Sequence, residues 1–204
     1  VRRVTPDLNV EENSLMANEP AKPAPTGTPG ISDKATIRER ARAHIEDGAV
    51  TSSYPKDRET IIQLLNEALA TELVCVLRYK RHYYATKGIR AKVAAAEFLE
   101  HAQDEQGHAD EIAQRIVQLG ANPDLNPSTL AARSHAEYDE STDLAGMLKA
   151  NLIAERVAIE SYREMIAYVG ERDPTTHRML KGILAKEEEH AEDLADLLDL
   201  GKDG

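Results

Sequence analysis

The chain has 204 residues, with 36 acidic and 25 basic side chains for a net charge of −11, seven His, one Cys, one Phe and no Trp. That length fits one domain of about 150 residues with an appendage, and a lone Cys excludes a disulfide framework or a CxxC metal or redox motif. A mean hydropathy of −0.50, no apolar run near 18 residues and no apolar stretch after Arg2 and Arg3 predict a soluble, cytoplasmic protein without membrane span or signal peptide, and its acidity suits nucleic acid poorly.

Residues 1–32 read as a flexible tail. From Asn18 to Gly30 the sequence places four Pro and two Gly in 13 positions, a composition that cannot bury enough surface to order itself. The N-terminal Val, with Met16 just before Ala17-Asn18-Glu19-Pro20, leaves residues 1–15 open to being outside the native start. Ser32 or Asp33 is placed to cap a short polar helix from Lys34 to Glu46, ended by Asp47-Gly48, and residues 33–54 form a helix and linker.

From residue 55 to 200 the apolar residues recur with a 3.6-residue period. A first long helix is predicted from about Asp57 to Lys87, with Ile61, Leu65, Leu69, Val76 and Tyr79 on its apolar face. A second runs from about Arg90 to Leu119, with Gly120 where a left-handed residue ends a helix. A crossover of roughly 22 residues follows, containing Asn122-Pro123 and Asn126-Pro127, and residues 128–138 are read as a short helix within it. The third long helix opens at Ser141-Thr142-Asp143 and ends at Gly170. The fourth opens at Asp173-Pro174, an N-cap followed by Pro at the first helical position, and stops at Leu200-Gly201. Short links make each pair antiparallel, and the long connection can travel the length of the molecule. The fold class is all-α, a four-helix bundle with one long crossover connection and an N-terminal extension. Its core is aliphatic, as a composition with only eight aromatics requires.

Each long helix carries a polar interruption in its apolar stripe. Glu72 shares a face with Leu65, Leu69, Val76 and Tyr79, and Glu155 lies between Leu148, Leu152, Ile159 and Tyr162. Glu105 and His108 form an ExxH motif in the second helix, and Glu187 and His190 repeat it in the fourth. One ExxH arises readily by chance; the duplication carries the weight. Glu72 precedes Glu105 by 33 residues and Glu155 precedes Glu187 by 32, so one unit, a helix with a central Glu followed by a helix with ExxH, occurs twice. Antiparallel pairing brings all six side chains to one level. A carboxylate in a core stripe is costly to bury unless paired or bound to metal, and four carboxylates with two imidazoles are a ligand set for two iron or manganese ions. With no thiolate available, zinc structural sites and iron–sulfur clusters are disfavoured.

Over about residues 57–199 the chain resembles the ferritin-like superfamily, in particular bacterioferritins and Dps-like ferritins. The resemblance rests on Asn66 to Glu72, Asp104-Glu105-Gln106-Gly107-His108, Ala154-Glu155-Arg156 and Lys186-Glu187-Glu188-Glu189-His190. It implies that Glu72 and His108 terminally ligate one metal, Glu155 and His190 the other, and that Glu105 and Glu187 bridge them. It also implies that Tyr79, seven residues after Glu72, hydrogen-bonds a ligand or supplies an electron. By the same resemblance the chain is a ferroxidase that stores or detoxifies iron, oxidising Fe(II) with O2 or H2O2 at two iron ions per subunit, with Mn or Zn as other occupants. Bacterioferritins bind haem through a Met directly after the second-helix Glu; Gln106 stands there, so haem is not expected. The 14 residues after His190 leave no room for the short fifth helix of 24-subunit shells, so a homo-oligomeric cage of 12 is favoured over 24.

The rival reading is a non-storage di-metal enzyme of peroxidase or catalase type; a rubrerythrin-type peroxidase would need four Cys for its electron-delivery module. A third is a metal-free helical interaction module. Outside the six residues, plainer roles are expected. Tyr162 and Cys75 read as core, Glu188 and Glu189 as solvated, and His44, His82, His135 and His177 as unremarkable. His101, one turn before Glu105, with Glu97 a turn earlier, reads first as structural and second as an auxiliary metal site. Residues 1–47 hold seven basic and eight acidic side chains, so the arm lacks the positive footprint of DNA binding.

Overall fold

Six helices and three single 3₁₀ turns, with no strand, make up residues 30–200, the part of the chain that the computed structural model describes. The expected tail up to residue 29 and the predicted stop at Gly201 lie outside the described residues. In chain order the helices are α1 (Lys34–Arg42), α2 (Arg58–Ala85), α3 (Lys92–Gln118), α4 (Leu130–Arg133), α5 (Leu144–Val169) and α6 (Pro174–Leu200). The four long ones have 26 to 28 residues, which at 1.5 Å rise makes each roughly 40 Å long.

The helix ends follow the local chemistry. Asp33 caps α1 by accepting from the backbone N–H of Ala35 and Thr36 at 2.8 and 3.0 Å. Asp143 caps α5 through the Gly146 N–H at 2.8 Å, and Asp173 caps α6 through the Thr176 N–H at 3.1 Å. Gly120 ends α3 with φ +83°, the left-handed conformation that only glycine adopts without strain.

Helix α2 packs chiefly on α3, and α5 on α6; α2 also meets α5, and α3 meets α6. Two apolar layers fill the bundle. One is built on Ile61, Leu65, Leu69, Ile112, Ile116, Leu180 and Ile183, the other on Tyr79, Phe98, Ala102, Met147, Leu148 and Leu194. The level between them is where the polar interruptions of the four stripes meet.

Three expectations change. The first helix stops at Arg42, because Ala43 is extended and His44 is left-handed at φ 51°, and residues 45–47 form a separate 3₁₀ turn. None of α1 is buried. The crossover helix is a single turn rather than residues 128–138. Ser134 is extended, and the next residues are held to α2 through the His135 N–H on Thr71 Oγ1 at 2.9 Å and Arg78 on the Glu137 carbonyl at 3.1 Å. Finally, α2 is long and apolar enough to cross a membrane by length and composition, contrary to the reading of the sequence. Its apolar window is 56% buried in the bundle, and the helix carries Glu72 and Arg78 fully inside it, as the core helix of a bundle does.

Candidate metal centre

Glu72 (α2), Glu105 and His108 (α3), Glu155 (α5), and Glu187 and His190 (α6) all point into the level between the two apolar layers. The four glutamates and His190 are each 1% exposed and His108 is 9% exposed. Periodicity put each residue on a buried stripe; the antiparallel register brings the stripes level. His108 Nδ1 lies 3.3 Å from Glu72 Oε2, 3.3 Å from Glu105 Oε2 and 2.9 Å from Glu187 Oε1. His190 Nδ1 lies 3.8 Å from Glu105 Oε1 and 3.9 Å from Glu155 Oε2.

The donors fall into two overlapping groups, each with one atom per residue within 4.8 Å of the others: Glu72, Glu105, His108 and Glu187, then Glu105, Glu155, Glu187 and His190. Glu105 and Glu187 belong to both. Glu72 Oε2, Glu105 Oε1, Glu155 Oε2, Glu187 Oε1 and His190 Nδ1 are buried and make no hydrogen bond; the approach of His108 to Glu72 and Glu187 lacks hydrogen-bond alignment. Buried polar atoms are nearly always paired, and five unpaired ones converging on one space fit two cations better than any arrangement of protein groups. Oxygen and imidazole donors suit iron and manganese, with zinc as a competitor.

Supporting contacts orient these donors. Tyr79 donates its hydroxyl to Glu155 Oε1 and Tyr162 donates to Glu72 Oε1, so in each carboxylate one oxygen is held and the other faces the shared space. Asp104 Oδ2 lies 3.2 Å from His190 Nε2. A proton on Nε2 leaves the Nδ1 lone pair facing Glu105 and Glu155, the arrangement in which a carboxylate fixes a metal-binding imidazole.

Without cations, protons offset the charge. Burial, and then the charge of Glu105, push Glu72 well above the carboxylate range and also raise Glu155. Burial followed by Glu105, Glu72 and Glu155 does the same to Glu187. Burial also works to raise Glu105, but the close approach of Glu72, His108 and His190 outweighs it and holds Glu105 far below its usual range. For His108 burial is outweighed by Glu105 and Glu72, which push it up to about 10.

Three further residues support the cluster. Tyr162, expected as plain core, follows Glu155 by seven residues as Tyr79 follows Glu72. Asp104 was visible only as the neighbour of Glu105. His101 is 1% exposed, stacks on His190 with ring centroids 3.9 Å apart, and places Nδ1 3.2 Å from the Tyr79 hydroxyl; burial and then His190 hold it down to about 3. Cys75 is buried as expected and accepts from Arg78 at 3.4 Å. Glu188 and Glu189 are exposed, turned away from the cluster.

Residues 62–203 match the Ferritin family, described as a ferritin-like domain. A nutrient stress-induced DNA-binding protein of Synechococcus sp. is 31% identical over 142 residues, which is 68% of this chain and 80% of that protein. A bacterioferritin of Rhodobacter capsulatus is 29% identical over 65% of this chain and 78% of its own length. Among solved structures, the bacterioferritin-related protein of Bacteroides fragilis, a dodecameric thioferritin, superposes with a TM-score of 0.68 at 35% identity, covering 72% of this chain and 89% of that one.

Proposed function

The chain belongs to the ferritin-like domain family, and from that premise we propose that it is a ferroxidase of iron storage or detoxification, with Fe(II) as its substrate. The observation that carries this reading is the set of five buried donor atoms without hydrogen bonds, on Glu72, Glu105, Glu155, Glu187 and His190. Glu72 with His108 hold one Fe(II), Glu155 with His190 hold the other, and Glu105 with Glu187, common to both donor groups, lie between them. Two ions side by side give up two electrons together. H2O2 then takes up two electrons and two protons to leave two waters, and O2 takes up two of each to leave H2O2. Pairwise transfer avoids the single-electron step that would release hydroxyl radical.

The protein supplies position, charge and exclusion of water. Four carboxylates balance two divalent cations, which removes the burial penalty of unpaired charge, and the protons held on Glu72 and Glu187 leave as the ions arrive. The redox chemistry belongs to the iron. The product Fe(III) passes to a mineral inside a homo-oligomeric cage, for which 12 subunits is the size we propose, in line with the dodecameric relative. A net charge of −11 draws Fe(II) toward the chain. The DNA-binding name of the cyanobacterial relative is not extended to this chain, whose first 47 residues carry no basic excess.

The test is anaerobic loading with Fe(II) followed by H2O2 or O2. Ferric absorbance is expected to rise in a burst that saturates at two irons per chain and to be lost in Glu105→Ala and Glu187→Ala. A burst retained in both variants rules the assignment out. Sedimentation of the same samples gives the subunit number.

A further inference from the structure

Beside the six-residue cluster lies a second group of donors that the ferroxidase reading does not use. His101 and Glu97 are one turn apart on α3, and Asp193 is on α6, one turn beyond His190. His101 Nε2 lies 3.8 Å from Glu97 Oε2 and 3.7 Å from Asp193 Oδ2, and the three offer donor atoms within 4.8 Å of one another. The Glu97 and Asp193 side chains are 32% and 46% exposed, whereas His101 is buried and its Nε2 makes no hydrogen bond.

The proton on His101 can be placed from its neighbours. Tyr79 has a single hydroxyl proton, which it donates to Glu155. Its oxygen, 3.2 Å from His101 Nδ1, must therefore accept, and the neutral imidazole carries its proton on Nδ1. The lone pair is then on Nε2, facing two carboxylates. Three acceptors converge with no donor among them, and a buried nitrogen is fixed in the tautomer that binds metal. Spacings of 3.7 and 3.8 Å suit an ion bound at about 2.0–2.2 Å to each atom.

We propose that Glu97, His101 and Asp193 form a third site for a divalent first-row transition cation, open to solvent on one side, which stages Fe(II) for the buried pair. Its position supports the second half of the proposal. His101, Glu155 and His190 also bring donor atoms within 4.8 Å of one another, so donors run unbroken from the partly exposed Glu97 and Asp193 through His101 to the buried cluster. The staging role rests on the ferroxidase reading; the binding site does not.

Two measurements separate them. Crystals of the full chain soaked in Co(II) are expected to show anomalous scattering at three positions per chain, one of them among Glu97, His101 and Asp193. In the double variant Glu97→Gln, Asp193→Asn, whose changes are isosteric and partly exposed, that peak alone is lost. Absence of the outer peak from the unaltered protein overturns the site, whether or not the inner positions fill. An outer peak without the inner two upholds it while sinking the di-metal reading. For the staging role, stopped-flow oxidation at limiting Fe(II) is expected to slow roughly tenfold in the double variant, the lower end of the effect of removing groups that support a metal site, with the two-iron stoichiometry kept. An unchanged rate overturns staging.

Discussion

Tyr162 of α5 donates its hydroxyl to Glu72 of α2, and the reciprocal contact joins Tyr79 of α2 to Glu155 of α5. Each helix thus contributes a glutamate and, seven residues later, a tyrosine that orients the glutamate of the other helix. Antiparallel packing requires this reciprocity. Two helical turns separate each Glu from its Tyr, so when Glu72 is level with Tyr162, Tyr79 is level with Glu155. Both phenols are driven well above their ordinary pKa by burial and then by the facing carboxylate, so they remain donors.

Removing either hydroxyl should therefore affect one cation more than the other. Tyr162→Phe frees Glu72 Oε1 and Tyr79→Phe frees Glu155 Oε1, with loss of metal affinity of about 10–100-fold at the adjacent position. Calorimetric titration with Co(II) is expected to show two near-equal inner affinities in the unaltered protein, split in each variant. If Tyr79→Phe splits them and Tyr162→Phe does not, the reciprocity is structural only.

Asp104 offers a sharper separation of orientation from ligation. It does not face the shared donor space, but it holds His190 by Nε2 at 3.2 Å and also lies 3.7 Å from Lys186 Nζ. Asp104→Ala should leave the fold intact, weaken metal binding about tenfold or more through loss of the imidazole's anchor, and spare the final ferric yield at saturating Fe(II). A loss of yield would place Asp104 among the ligands themselves.

Much of this was legible from periodicity because the fold is made of long helices. A Glu and a His three residues apart on a 3.6-residue repeat share a face, so Glu105 with His108 and Glu187 with His190 could be assigned to the core before any partner was known. The contacts of Tyr162, His101 and Asp104 were not legible. Each depends on the rotation and axial register between two helices, which a single-helix pattern does not contain. The crossover was misjudged for a related reason. Residues after Arg133 have helix-compatible composition, yet Ser134 is extended and the residues that follow hydrogen-bond to Thr71 and Arg78 of α2 instead of continuing the helix.

Where α3 ends and α6 begins, a buried ion pair joins Arg115 to Asp173. Asp173 is 2% exposed and Arg115 3%, and Arg115 Nη2 reaches both carboxylate oxygens at 2.8 and 2.9 Å. Asp173 also accepts the Thr176 N–H that caps α6. Asp173→Ala should cost about 3–5 kcal/mol, because a buried guanidinium loses its counter-ion, and about 1 kcal/mol more for the cap. Asp173→Asn should cost less, since the amide oxygen can keep the cap. Urea denaturation of the metal-free protein checks both, and equal losses in the two variants would mean that the charge contributes nothing beyond the cap.

The protonation of the metal-free cluster sets the pH dependence of its stability. Glu72 and Glu187 are held well above the usual carboxylate range and Glu155 is raised. The folded chain therefore keeps protons that the unfolded chain releases near pH 4.3, and stability falls as pH rises past that value. His108, pushed up to about 10, contributes stability that is complete below its unfolded pKa of about 6.5 and lost as pH rises toward 10. Glu105 has the opposite sign, but it is so far depressed that its contribution is full and flat above its unfolded pKa of about 4.3. Between about pH 6.5 and 9 the raised His108 keeps this slope negative, so the melting temperature of chelator-treated protein should decline. Divalent cations displace those same protons, so their affinity rises with pH and the gap in melting temperature between Co(II)-saturated and metal-free protein should widen across that interval. A gap that stays constant with pH would mean that the cluster binds cations without giving up protons, and the charge balance assigned to Glu72, Glu187 and His108 would be wrong.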